Sequence, residues 1–113
     1  MTLTLTGLRA ETIRKIAQDT SGLQLLALHG SRSRADARPD SDWDFGYLCD
    51  DGCDPDQLRA HLVEALDCDR VDLADLARAS GQLRFRVARD GPVVFSRHEG
   101  NWDRFWMEAV SFW

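Results

Sequence analysis

The sequence predicts an α/β (α+β) domain: a small mixed β-sheet with helices packed on one face. Three observations lead there. Helical and extended patterns alternate along the chain, and the apolar run LQLLAL stops abruptly at Gly30-Ser31. A chain of 113 residues has room for one core but not two, so residues 1–113 read as a single domain.

Each element has its own signal. Thr6 is placed to cap a helix from about Leu8 to Asp19, with Leu8, Ile13, Ile16 and Ala17 on its apolar side. Ser21-Gly22 ends it. Leu23 to His29 is a strand whose unbroken apolar content requires burial. Asp42 to Cys49 is a second strand. Asp54 as N-cap and Pro55 at the first helical position start a helix to about Leu66. Asp69 to Ala74 is a third strand. Gly81 to Asp90 is read as a helix in spite of Phe85 and Val87, which favour strands. Gly91-Pro92 leads into a short strand, Val93 to Phe95, and a helix from Asn101 to Trp113 closes the chain.

Composition narrows the function. Hydrophobic residues make up 43% and charged residues 29%, as in ordinary globular proteins. A net charge of −5 opposes nonspecific nucleic-acid binding, which needs a cationic surface. No apolar run approaches a membrane span, and MTLTLTGLRAE has no signal-peptide pattern. The expectation is a cytoplasmic protein with no direct nucleic-acid or membrane partner. Cys49, Cys53 and Cys68 fit no zinc spacing and are read as reduced thiols. Lys15 is the one lysine and lies in the first helix, away from any glycine-rich turn. That excludes a P-loop and disfavours lysine-based covalent chemistry. No GxSxG or HExxH occurs.

What remains is the segment GSRSRADARPDSDWDFG, residues 30–46. A glycine after a buried strand lets the backbone N–H groups of the turn face an anion, and the Ser31 hydroxyl adds a donor. Arg32, Arg34 and Arg38 follow within reach, although each taken singly reads as a solvated loop residue. In a strand alternate residues share a face, so Asp42 and Asp44 point one way with Gly46, while Trp43, Phe45 and Tyr47 point the other. Two adjacent carboxylates repel unless a cation or donor compensates. A hard divalent ion such as Mg2+ suits an oxygen-only pair. RVDLAD offers a third carboxylate: Val71 and Leu73 read as core, which leaves Asp72 on the opposite face. Asp69 and Asp75 are rivals, and a solvent-facing Asp72 is an equally good reading of the spacing alone.

These residues together resemble the Gly-Ser, ten-residue, Asp-x-Asp signature of the DNA polymerase beta-like nucleotidyltransferase superfamily. The likeness is nearest to the minimal nucleotidyltransferases (MNT) of prokaryotic HEPN/MNT toxin–antitoxin pairs. It runs over most of the chain, and one departure stands out, Ala35 in place of a common glycine. The resemblance implies a polymerase beta-like fold. It implies that Asp42, Asp44 and Asp72 are catalytic and hold two Mg2+ ions, with Asp72 also the general base. Gly30, Ser31, Arg32 and Ser41 would then bind the nucleotide. The implied reaction transfers AMP from ATP to a tyrosine hydroxyl of a HEPN RNase toxin, silencing it. The alternative is a weak or inactive nucleotidyltransferase fold that neutralises the toxin by docking alone.

The remaining motifs carry less. Trp102, Phe105, Trp106 and Ala109 are expected to pack the last helix on the sheet. Phe112 and Trp113, at the extreme terminus, are candidates for contact with a partner or a second copy. His29 precedes the Gly-Ser turn and reads as a hydrogen-bonded strand-end residue; His61 and His98 have no ligand-like neighbours in sequence.

Overall fold

The structure, a computed structural model, describes residues 7–33 and 41–111. Along the chain it contains α1 (Gly7–Asp19), β1 (Leu23–His29), a 3-10 turn (Gly30–Ser33), β2 (Trp43–Cys49), α2 (Pro55–Leu66), β3 (Val71–Asp75), α3 (Gly81–Asp90), β4 (Val93–Ser96) and α4 (Asn101–Ser111). The strands form one sheet in the order β3-β2-β1-β4. β1 is antiparallel to β2 and β4, and β2 is parallel to β3. The mixed sheet is therefore as expected, with the crossover helix α2 linking the parallel pair.

The expected layering is corrected. Helices cover both faces, not one. Ile13 and Ala17 of α1 and Leu58, Leu62 and Leu66 of α2 pack with Leu26, Leu28, Trp43, Phe45 and Val71 on one side. Val87 and Ala88 of α3 and Phe105 and Ala109 of α4 pack with Leu25, Ala27 and Leu76 on the other. The reason lies in β1, a central strand with no polar face to leave in water. An irregularity in its pairing with β2 between Leu23 and Leu25 resets the alternation, so Leu23, Leu26 and Leu28 share one face and Leu25 and Ala27 the other. Each such fully buried leucine contributes roughly 1.5–3 kcal/mol, which a bare second face would forfeit.

Local chemistry sets the boundaries. Asp54 caps α2 by accepting from the Asp56 and Gln57 amides at 3.1 and 3.3 Å, and Ser80 caps α3 by accepting from Leu83 N at 3.1 Å. The expected cap Thr6 lies outside the described residues. α1 has no basic residue in its last turn. Arg97, from the far end of the chain, supplies the charge: its guanidinium donates to the carbonyls of Ala17, Gln18, Thr20 and Leu23 at 2.8–3.4 Å. β3 begins at Val71 rather than Asp69 because Asp67 turns through the left-handed region, φ 51°. Arg59 then clamps the chain by donating to the carbonyls of Asp69 and Val71 at 2.9 and 2.8 Å. α3 forms although it contains Phe85 and Val87, since burial of Val87 outweighs its weak helix preference.

Two further expectations change. Cys49 and Cys53 are paired as a disulfide, and Cys68 is free. The tight turn between the end of β2 and the cap of α2 brings the two Cα atoms to 5.7 Å, within bridging range. Trp106 does not pack on the sheet but is 42% exposed, as is its neighbour Met107 at 62%. Trp106 follows Phe105 by one residue, about 100° around the helix, and the stripe of Trp102, Phe105 and Ala109 takes the buried position. Phe112 and Trp113 lie outside the described residues. Among the described residues no helix is long and apolar enough to cross a membrane.

Candidate active site

The site is built at one edge of the sheet, where β1 ends and β2 and β3 begin. In the parallel pair Asp44 lies opposite Asp72; in the antiparallel pair it lies opposite His29. The alternation along β2 buries Trp43 and Phe45 against α1 and α2 and turns Asp44 to the other face. Asp72 is thus brought beside Asp44 by the parallel register of β2 and β3.

Gly30 follows His29 directly and closes over Asp44. It has φ +75°, and a Cβ there would stand 2.6 Å from Asp44 Oδ2. No side chain fits in that space, and few L residues adopt that backbone. The turn is held by the Ser33 hydroxyl, which donates to the Gly30 carbonyl at 2.6 Å. Gly46, two residues beyond Asp44, is needed in the same way: a Cβ would stand 2.8 Å from Leu76 Cδ2.

The electrostatics follow from this crowding. Burial pushes the Asp44 carboxyl above its ordinary value. His29 pulls it back down, while the charges of Asp72 and Asp42 and a side-chain hydrogen bond with Asp72 push it further up. Burial likewise lowers the His29 pKa, against the pull of Asp44, of Asp90 and of a hydrogen bond to the Phe45 backbone; Arg86 lowers it further.

The predicted residues are not all brought together. Asp42 lies just before β2, and its Oδ1 is 3.3 Å from Arg70 Nε. Among the described residues Asp44 and Asp72 are paired in register, and Asp42, just before β2, acts on the Asp44 carboxyl by its charge. The donor set still suits a hard divalent cation, being all oxygen and mutually repulsive. Ser31 sits half-buried in the 3-10 turn. Arg32 lies with Ser41: its Nε and Nη2 donate to the Ser41 carbonyl at 3.3 and 3.0 Å. Its guanidinium also stacks 4.4 Å from the Trp43 ring, on the face away from Asp44. Arg34, Ala35 and Arg38 lie outside the described residues. A hollow of about 820 Å³ is lined by Arg9, Arg32, Trp43 and Arg70 but by neither Asp44 nor Asp72.

Two neighbours were not singled out from the sequence as site residues. His29 was read only as a strand-end histidine, and its alignment with Asp44 depends on the β1–β2 register. Arg70 stands two residues before Asp72, a period-2 relation that was the available signal.

Known proteins are similar to this chain in sequence and in fold. The protein adenylyltransferase MntA of Aphanizomenon flos-aquae (strain 2012/KM1/D3) is 28% identical over 95 residues, which is 74% of this chain and 63% of that protein. The match therefore spans under two thirds of that relative. A crystal structure of a toxin–antitoxin with AMP-PNP superposes with a TM-score of 0.77 at 32% identity, covering 93% of this chain and 86% of that one. A complex of a tri-AMPylated Shewanella oneidensis HEPN toxin with MNT antitoxin matches with a TM-score of 0.70 at 31% identity, covering 93% and 83%. With the Asp-x-Asp strand, its parallel carboxylate partner and the Gly-Ser turn at one sheet edge, and with residues 11–100 matching its pattern, the chain belongs to the polymerase beta nucleotidyltransferase family.

Proposed function

We propose that this protein is the antitoxin of a toxin–antitoxin pair and transfers AMP from ATP to a tyrosine hydroxyl of a HEPN-domain RNase toxin. The observation that carries this is the alignment of Asp44 with Asp72 against the turn that Gly30 opens. The similarity to an adenylyltransferase and to toxin–antitoxin complexes supports it.

In this mechanism the turn amides and the Ser31 hydroxyl bind the triphosphate. Asp42, Asp44 and Asp72 hold Mg2+, which when bound neutralises charge on the phosphoryl oxygens. Asp72 accepts the proton of the acceptor hydroxyl, whose oxygen bonds to the α-phosphorus as the bond to pyrophosphate breaks. Gly30 and His29 confine Asp44 beside it. The acceptor arrives on the partner protein. The setting is the cytoplasm, where ATP and the toxin's RNA substrates are found.

The test incubates the protein with labelled ATP, Mg2+ and its HEPN partner, beside an Asp42→Asn/Asp44→Asn variant. Label should pass to the partner only with the native carboxylates, and Tyr→Phe changes in the partner should remove it. Equal labelling by both proteins overturns the mechanism; a tight complex without labelling supports neutralisation by docking alone.

A further inference from the structure

The face that carries Asp44 and Asp72 extends one step past the strands. Trp43 pairs with Val71 and Asp44 with Asp72, and the Trp43 amide donates to the Arg70 carbonyl at 2.9 Å. Continued in register past the starts of the two strands, Asp42 stands beside Arg70. The side chains meet there, Arg70 Nε at 3.3 Å from Asp42 Oδ1. The corner of the sheet thus holds three carboxylates and one guanidinium.

We infer that Arg70 is a positioning residue that orients the Asp42 carboxylate for a divalent cation, holding Oδ1 and leaving Oδ2 to the metal. Asp44 needs no such help, because the ladder on both sides and Gly30 confine it. Asp42 does: it lies outside β2, and its side chain is 52% exposed. A carboxylate with that freedom is a poor ligand until a neighbour fixes it, and partners that orient ligands are worth about 10–100-fold in metal affinity. The guanidinium also repels a cation, but it is half exposed, and solvent screens that effect. Orientation therefore outweighs repulsion. This inference rests on the proposed metal-dependent transfer.

The experiment titrates the protein with Mn2+ and follows the loss of the free-ion EPR signal, apart from any assay of transfer. Arg70→Gln should weaken Mn2+ binding about tenfold. Arg70→Lys should fall between, since an ammonium keeps the charge but lacks the directed fork. Asp42→Asn should weaken binding too, and adding Arg70→Gln to it should change nothing more, because the arginine acts through that carboxylate. Melting curves in EDTA establish that each variant is folded. Affinity unchanged or tightened in Arg70→Gln, or a full additional loss in the Asp42→Asn background, overturns the inference. If Arg70→Gln does not fold, Arg70→Lys decides: affinity equal to the native protein overturns it. Native Mn2+ binding that Asp44→Asn leaves intact overturns the metal-dependent reading itself, and this inference with it.

Discussion

Asp44 and Asp72 are direct partners across the parallel strands β2 and β3, and the charge of Asp72 helps to hold the Asp44 carboxyl above its ordinary pKa. A sheet that served only to fold would not align two carboxylates at a half-buried edge, since like charges placed opposite each other destabilise a strand pair. That repulsion stands at the place where a divalent cation would relieve it.

Removing the repulsion should stabilise the metal-free protein while removing its activity. Asp44→Asn keeps the shape of the side chain and drops the charge. In EDTA at pH 7.5 its Tm should rise by about 2–4 °C, the shift that a fraction of a kcal/mol to about 1 kcal/mol produces in a domain of this size. AMP transfer should fall to background. A Tm that drops would show the carboxylate to be a net stabilising group.

The pH dependence follows with a definite sign. Burial and the neighbouring aspartates raise the folded pKa of Asp44 above its ordinary 3.8. Between those two values the folded state binds more protons than the unfolded state, so stability falls as pH rises through that window and is level above it. In EDTA, the native protein should lose more stability than Asp44→Asn as pH rises from 4 into the neutral range. Urea unfolding midpoints measure the difference. Saturating Mg2+ should erase it by supplying the missing positive charge.

Gly30→Ala tests the close approach of the turn. The substitution forces a Cβ onto Asp44 Oδ2 in a backbone at φ +75°, where strain costs on the order of 1–3 kcal/mol. Tm should fall accordingly, and transfer should fall more than a hundredfold, because a displacement of the order of 1 Å at the reacting groups is costly. Asp44→Gly/Gly30→Ala, which clears the obstructing carboxylate, should recover part of the Tm and none of the transfer.

Much of this was legible beforehand. β1 and α3 have the predicted limits, and α2 has its predicted cap, because an apolar run and Asp54-Pro55 are local signals. The Asp-x-Asp face followed from strand alternation. What could not be read is what depends on elements meeting. The second helical layer, the Cys49–Cys53 pairing, the outward turn of Trp106 and the Arg70–Asp42 contact each require the register or the packing of two segments. Arg32 shows the same limit. Its position after Gly-Ser suggested a phosphate ligand, whereas the turn directs it to the Ser41 carbonyl and the Trp43 ring.

Arg59 offers a contrast with residues that act on charge at the site. It donates to the carbonyls on either side of Arg70, at Asp69 and Val71, and so fixes the backbone that delivers Asp72. Charge-assisted hydrogen bonds of this kind contribute about 1.5–3 kcal/mol each, and the two share one side chain, so Arg59→Ala should destabilise by roughly 2–3 kcal/mol. Arg59→Lys should recover less than half, since a point charge cannot span two carbonyls as a planar fork does. The effect on chemistry should appear in kcat rather than in the KM for ATP, because the proposed nucleotide-binding turn follows β1 and the displaced group is the proposed base, on β3. Steady-state kinetics on the folded variant distinguish the two. A raised KM with kcat intact would place the role of Arg59 in nucleotide binding instead of in holding Asp72.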